Sequence, residues 1–382
     1  MPVTSIVFVA VTYQRSGMEQ VVVDLCSRAA LDGAKVSVLV PSGVALDGFA
    51  EEIIACGANV VRVGELFSTQ RSAIANLWAI WRTLRRLRPD IVHVHVPWAP
   101  SGWEVIVGAW LARIPIRLRT EHNPVPHRLP HRQRFKLRIL DALVTGVVFV
   151  SQGNRASHRS NGGRTRGRQF VIGNGVPIHY LTPEIRENAR RSVLQLTGAP
   201  DDAPHAVMVA TLGLRKGPLD FVHAARVASE LHPLLHFVVI GDGPERANAE
   251  AAACAAKLSS RIHFLGRRAD VIALLPGFDV YVQPSHYEGM SLAMLEALHA
   301  GLPMATTRVD GVADILGEDP ACEIVDVGDT PALGRAIARL ANDPALRSNH
   351  ASVSLAAVRH GFSREAMLDQ YTQLYAQLVR SR

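Results

Sequence analysis

The strongest constraint on this chain is one alternation that occurs twice. Short strand candidates at 6–11, 35–40, 91–96, 117–121 and 147–150, most of them apolar, are separated by stretches long enough for helices, among them 20–31 and 73–87. Asn174-Gly175 and Pro177 then punctuate the chain. A polar helical stretch near 183–196 and turn-rich residues 198–204 lead into a second series, at 206–210, 236–240, 262–265, 280–283, 304–306 and 323–325. Strands that alternate with helices of about ten to fifteen residues form parallel sheets, because a parallel neighbour is reached only through a crossover. The expected architecture is therefore α/β, with two Rossmann-like, doubly wound domains at 1–176 and 204–362, a linker at 177–203 and a last helix at 364–379. Of the 382 residues 48% are apolar, enough to give each domain a core.

Charge separates the two halves. Residues 1–180 hold 22 Lys and Arg against 11 Asp and Glu, or +11, whereas residues 181–382 hold 19 against 23, or −4. Such asymmetry points to a polyanionic or membrane-surface partner for the first half. The densest basic run, 127–138, contains Arg128, Arg132, Arg134, Lys136 and Arg138. It is either a solvated helix face or a contact for anionic lipid or a charged acceptor. Cys26, Cys56, Cys254 and Cys322 are scattered, as lone thiols are in a reducing compartment. The apolar run 6–11 is too short for a signal peptide and has no basic segment before it. No stretch approaches the ~20 apolar residues of a membrane span. The expected setting is cytoplasmic, with peripheral binding on the inner face of a membrane, and no nucleic-acid partner.

Chemistry concentrates in HYEGMSLAMLEALHAGLPM, residues 286–304. Glu288 and Glu296 are separated by seven residues around Gly289, Met290 and Ser291, and a helical run from Leu292 follows. With Ser291 as N-cap, the unpaired first-turn amides and the positive end of the helix dipole would receive a phosphate. Glu288 would face a sugar from the loop, and Glu296 would meet ribose hydroxyls from one to two turns up the helix. The plainer reading is two surface acids on a solvated helix. Lys216-Gly217 follows the first strand of the second series, where a cation suits a diphosphate leaving group or simply sits in a surface turn. Gly17, in the first strand-to-helix loop, either lets the backbone approach a phosphate or sugar or makes an ordinary turn. His93 and His95 share one face of a strand. That pair hints at metal, but spacing supplies no third ligand, and a buried or cleft-lining pair is preferred. His95 lies nearer the strand's C-terminal end. Gly241-Asp242-Gly243-Pro244 lacks the third glycine of a dinucleotide fingerprint, since Arg246 stands there, so no hydride-transfer cofactor is expected.

Taken in order, these segments resemble the family 4 retaining glycosyltransferases, which have a GT-B-type fold with an interdomain cleft and an E-x7-E motif matching Glu288 and Glu296. The resemblance runs through Ser16-Gly17-Met18-Glu19, Asp90–His95, Val150-Ser151, Val171–Val176, Lys216-Gly217, Ile240–Glu245 and Phe264–Gly266, over more than 300 residues. It implies transfer of a sugar from a nucleoside diphosphate donor, on the second domain, to a hydroxyl of a glycan or lipid-linked acceptor, on the first. Glu288, Lys216 and His122 would be catalytic, with His122 reaching the donor sugar. Gly17, Thr211, Arg215, Gly241, Leu265, Arg268, Gly289–Leu292 and Glu296 would bind donor, with Leu265 and Arg268 at the base. Ser16 and His95 would face acceptor or cleft, and the last helix would cross back to the first domain. No cofactor or metal is implied, and no Asp-x-Asp clamp occurs. The chain departs from the family at three points. Thr211 stands where an arginine is usual, with Arg215 a substitute from a different backbone position. Ser16 replaces the first of two glycines, and Asp314 replaces a glutamate. Two other functions fit the same fold, a nucleotide-sugar epimerase and a non-catalytic sugar-nucleotide-binding protein.

Overall fold

The computed structural model describes residues 3–12, 16–41, 46–63, 73–162, 167–316, 322–359 and 361–381. The chain divides into two compact units, Met1–Asn174 with Arg364–Arg382, and Gly175–Ser363.

The first unit is a seven-stranded parallel sheet of β1 (Ser5–Ala10), β2 (Lys35–Val40), β3 (Asn59–Arg62), β4 (Ile91–Val96), β5 (Ile116–Glu121), β6 (Gly146–Phe149) and β7 (Gln169–Val171), in the order β3-β2-β1-β4-β5-β6-β7. β1 pairs with β2 on one side and β4 on the other, Val9 opposite Leu39 and Val94. Helices cover both faces, so the central strands are buried on both sides; β1 (SIVFVA) reads as an apolar run, while β4 (IVHVHV) and β5 (IRLRTE) also bury polar side chains. The edge strands β3 and β7 are short and only half-buried, which is why neither carries an apolar run that sequence could show. The C-terminal helix, Arg364–Arg380, returns to this unit. Tyr371 and Tyr375 are buried there, and Asp369 lies 2.9 Å from Arg28 of the first helix, Gly17–Leu31.

The second unit is a six-stranded parallel sheet of β8 (His205–Val209), β9 (His236–Ile240), β10 (Ile262–Gly266), β11 (Val280–Gln283), β12 (Met304–Thr307) and β13 (Cys322–Val325), in the order β10-β9-β8-β11-β12-β13. Its core packs the Pro218–Leu231 and Thr330–Asn342 helices against the sheet, with Phe221, Phe237 and Ile337 sealed from solvent. Residues 177–203, expected as a linker, belong to this unit. The Pro183–Thr197 helix buries Ala189 and Val193, and Arg190 pairs with Asp279 at 3.0 Å. Two buried side chains, with Leu194 and Leu196 only half-buried and Ile185 exposed, give too narrow an apolar stripe to separate docking from linking. No helix among the described residues is long and apolar enough to cross a membrane.

Candidate active site

In the second unit strand order reverses between β8 and β11. The loops leaving their C-terminal ends run in opposite directions, and such a reversal opens a crevice where parallel sheets bind ligands. Both loops carry charge into it. After β8 comes a single 3-10 turn, Leu214–Lys216, closed by Gly217 at φ +65°. A side chain at Gly217 would collide with the carbonyl oxygen of Pro284, which follows β11. Glycine therefore lets the two loops touch. His286 N donates to the Arg215 carbonyl at 2.8 Å, and His286 Nε2 lies 2.6 Å from Asp220. These contacts bring Arg215 and Lys216 onto Glu288. Arg215 Nη1 is 2.7 Å from Glu288 Oε1, Lys216 Nζ pairs with the same oxygen, and Ser285 Oγ donates to it at 3.4 Å. The Arg215 guanidinium also stands 5.7 Å from the Tyr287 ring.

Glu288 is only 4% exposed. Burial alone would raise its pKa, but Lys216 and Arg215 outweigh burial and hold it below the ordinary carboxylate value. Lys216 shifts downward too, because burial and the neighbouring Arg215 together exceed the pull of Glu288. The result is a desolvated two-cation, one-anion cluster, which carries spare positive charge for an incoming anion.

Gly289, Met290 and Ser291 lead from Glu288 into the Leu292–His299 helix. Ser291 is the N-cap, its Oγ accepting from Met294 N at 3.3 Å. The amides of the first turn lack intrahelical acceptors and sit at the positive end of the dipole. Gly311 N donates to the Glu288 carbonyl at 3.3 Å, and its α-carbon lies too close to the Gly289 backbone for any side chain. This brace was not evident from sequence, where 310–314 stood out only for its acid. Glu296 is half-buried on the same helix, and burial pushes its carboxyl up to about 7.

Other expected donor residues ring the same edge of the sheet. Thr211 lies just beyond β8, and its carbonyl accepts from Gly213 N at 2.8 Å. Gly241, at φ +134°, presses on the Ala210 backbone, so the Gly241–Gly243 turn is glycine-rich for packing. Leu265 is half-buried near the end of β10, and Arg268 is held by Asp270 at 2.7 and 2.8 Å.

The first unit reverses strand order between β1 and β4. After β1, Ser16 caps the Gly17–Leu31 helix, its backbone N donating to the buried Glu19 at 2.6 Å; Gly17 is exposed as the first helical residue. Three histidines lie nearby. His93 has Tyr375 Oη at 2.8 Å from Nδ1 and Thr120 Oγ1 at 2.8 Å from Nε2. It is therefore tied to the C-terminal helix. His95 Nδ1 and His122 Nε2 are 3.0 Å apart, so one ring donates and the other accepts. His95 is fully buried and its Nε2 has no hydrogen-bond partner among the described residues, whereas His122 keeps 9% exposure. Burial drives all three pKa values down, His93 to about 3 with help from His122, and His122 to about 4 against the pull of Glu121. All three are neutral near pH 7. Among the described residues no three His, Cys, Asp or Glu side chains converge as a metal site requires. A fully buried ion pair, Arg119 Nε to Glu121 at 2.7 Å, underlies the loop that bears His122; its Arg-x-Glu spacing on one face of β5 was its only signal. In the basic run, Arg128, Arg132 and Arg138 are exposed, but Lys136 Nζ lies 4.6 Å over the Trp103 ring.

Two family profiles match, together spanning most of the chain. "Glycosyltransferase Family 4" covers residues 15–180 and "Glycosyl transferases group 1" covers residues 191–352. The UDP-Gal:alpha-D-GlcNAc-diphosphoundecaprenol alpha-1,3-galactosyltransferase of Escherichia coli is 28% identical over 80% of this chain and 79% of its own length. The lipopolysaccharide core biosynthesis glycosyltransferase LpsE of Rhizobium meliloti is 32% identical over 46% of this chain, and the match spans about half, 51%, of that relative. Anabaena Alr3699/HepE, solved in complex with UDP, superposes with a TM-score of 0.78 at 17% identity, covering 98% of this chain and 100% of that one. At that identity the likeness is one of fold, the GT-B type with two Rossmann-like units.

Proposed function

We propose that this chain, which belongs to glycosyltransferase family 4, moves a sugar from a nucleoside diphosphate donor to a hydroxyl of a glycan or lipid-linked acceptor, with retention at the anomeric carbon and without a metal. The observation that carries the reading is Glu288 held by Arg215 and Lys216 at the strand-order reversal, beside the helix end capped by Ser291. A diphosphate bound there meets two cations and the first-turn amides, which can take up the charge that develops as it leaves. Arg215 supplies the second positive charge that Thr211 does not. In the step itself the bond from the anomeric carbon to the phosphate oxygen breaks. A bond from the acceptor oxygen forms on the same face, and the acceptor's proton goes to the departing phosphate. Glu288 borders the reacting sugar and keeps the two cations in register. Glu296 binds the ribose, and neutral His122 binds a sugar hydroxyl.

UDP in the HepE complex, and the UDP-sugar and lipid-linked acceptor in the name of the Escherichia coli relative, favour a uridine donor and work close to a membrane. A thermal-shift screen of UDP-, GDP- and ADP-sugars tests the donor, because a ligand that binds only the native state raises apparent stability. Product analysis by NMR then follows. An α-linked product from an α-configured donor is expected, with activity surviving EDTA. A new sugar nucleotide would indicate an epimerase, and binding without turnover a non-catalytic protein.

A further inference from the structure

The first unit has a face that the transfer reaction does not use. The Ala73–Leu87 helix runs AIANLWAIWRTLRRL and contains no acid. Its exposed side chains follow helical spacing, with Ile74 79% exposed, Trp78 56% exposed, and then Arg82, Arg85 and Arg86. The Arg82 and Arg85 guanidiniums lie 5.4 Å over the rings of Trp78 and Trp81, keeping aromatic body and cation together. The neighbouring Trp103–Leu111 helix packs against this helix and adds exposed Trp110 and Leu111. Between them opens a groove of ≈ 930 Å³, bordered by Trp78, Trp81, Arg85, Arg88, Leu111 and Arg113. It lies at the residues that precede β4 and β5, so at the opposite end of those strands from His95 and His122.

The acids of this stretch are outnumbered on the face. Asp90 lines the groove and stays ionised, held by hydrogen bonds from Thr4 and Ser5, but it stands against Arg85, Arg88 and Arg113; Glu121 and Asp141 are buried, and Glu104 is half-buried. The face keeps a net excess of arginine, beside tryptophan and aliphatic side chains. That composition matches an anionic interface, where aromatic rings lie at headgroup depth and guanidiniums meet phosphate. A second copy fits poorly, because a two-fold contact would bring arginines against arginines.

We infer that the exposed face of the Ala73–Leu87 and Trp103–Leu111 helices docks on an anionic lipid bilayer, with Trp78, Trp110 and Leu111 entering the headgroup layer and Arg85, Arg88 and Arg113 on lipid phosphates. The inference deepens the membrane-proximal reading above and assigns the contact to this face instead of the basic run at 128–138. Vesicle co-sedimentation tests it with the full chain, on phosphatidylglycerol-containing and pure phosphatidylcholine vesicles at low and high salt. Binding is expected to the anionic vesicles alone and to weaken with salt. The triple variant R85Q/R88Q/R113Q should lose roughly 100-fold in partitioning, since three surface cations are removed. R128Q/R132Q/R138Q should lose at least ten times less. Quenching of tryptophan fluorescence by brominated lipid should drop in Trp78→Phe. Equal binding to neutral vesicles, equal losses in the two triple variants, or a dimer in solution that Trp78→Ser dissolves would each overturn the assignment. Donor turnover in detergent solution should be unchanged in R85Q/R88Q/R113Q, so a failed docking result leaves the transferase reading standing on its own test.

Discussion

The two units share one device and give it opposite chemistry. Each is a parallel sheet whose strand order reverses once, between β1 and β4 or between β8 and β11, and each gathers polar side chains at the reversal. In the second unit these are ionised, with Glu288 between Arg215 and Lys216. In the first they are three histidines that burial keeps neutral. A backbone topology therefore fixes where a ligand can bind but not what kind. The loops decide that, and here they give a charged crevice suited to a diphosphate and a neutral one suited to hydroxyls.

The contrast breaks most visibly at Lys216. Lys216→Ala should lower kcat/KM by more than ~100-fold, the scale expected when one preorganised charge no longer meets the transition state. Arg215→Ala should fall within about tenfold of it if Arg215 stands in for the charge absent at Thr211; a wild-type rate would confine the leaving-group charge to Lys216. The glycine that brings the loops together comes next. Gly217→Ala meets both a left-handed φ and the Pro284 carbonyl, so it should cost about 2–3 kcal/mol in denaturant unfolding and reduce activity with it.

The neutral unit should show itself through pH. Unfolded histidines take up protons near pH 6.5, whereas His122 resists until about 4 and His93 until about 3. The unfolded chain thus binds more protons in that window, and stability should fall as pH drops from about 6.5 toward 4. Replacing His93 by Gln should lessen that slope, the rest coming from His95, His122 and the similarly lowered His205 of the second unit, and an unchanged slope would remove His93 as a cause. The smallest effect concerns Glu296. Its carboxyl is half-ionised near pH 7, and the ionised form is the better acceptor for ribose hydroxyls. Donor affinity should rise a few-fold from pH 6 to 8 and lose that dependence in Glu296→Gln, by calorimetric titration.

Which features were legible from sequence follows from how locally each is encoded. β1, buried on both faces, appears as an apolar run. β3 and β7 are half-buried and short, and left no such trace. Ser291 as N-cap was readable because the cap and its helix are contiguous. The meeting of Lys216 with Glu288 spans 72 residues and was reachable only through family resemblance, not through spacing. The docking of 183–197 depends on Gly277 and Asp279 far along the chain, so the segment read as a linker. His95 was expected at a cleft from its position on β4. Its complete burial against His122 makes it a support for that ring, a distinction that strand periodicity cannot draw.

The proposed transfer turns on Glu288, held by two cations in the second unit, bordering the reacting sugar. Steady-state kinetics of Glu288→Ala, paired with calorimetric donor binding, tests it most directly. In Glu288→Ala kcat should fall by at least about 100-fold while donor affinity stays within a few-fold of wild type, the signature of an interaction realised in the transition state. A near-wild-type kcat, or a loss confined to donor affinity, would contradict it.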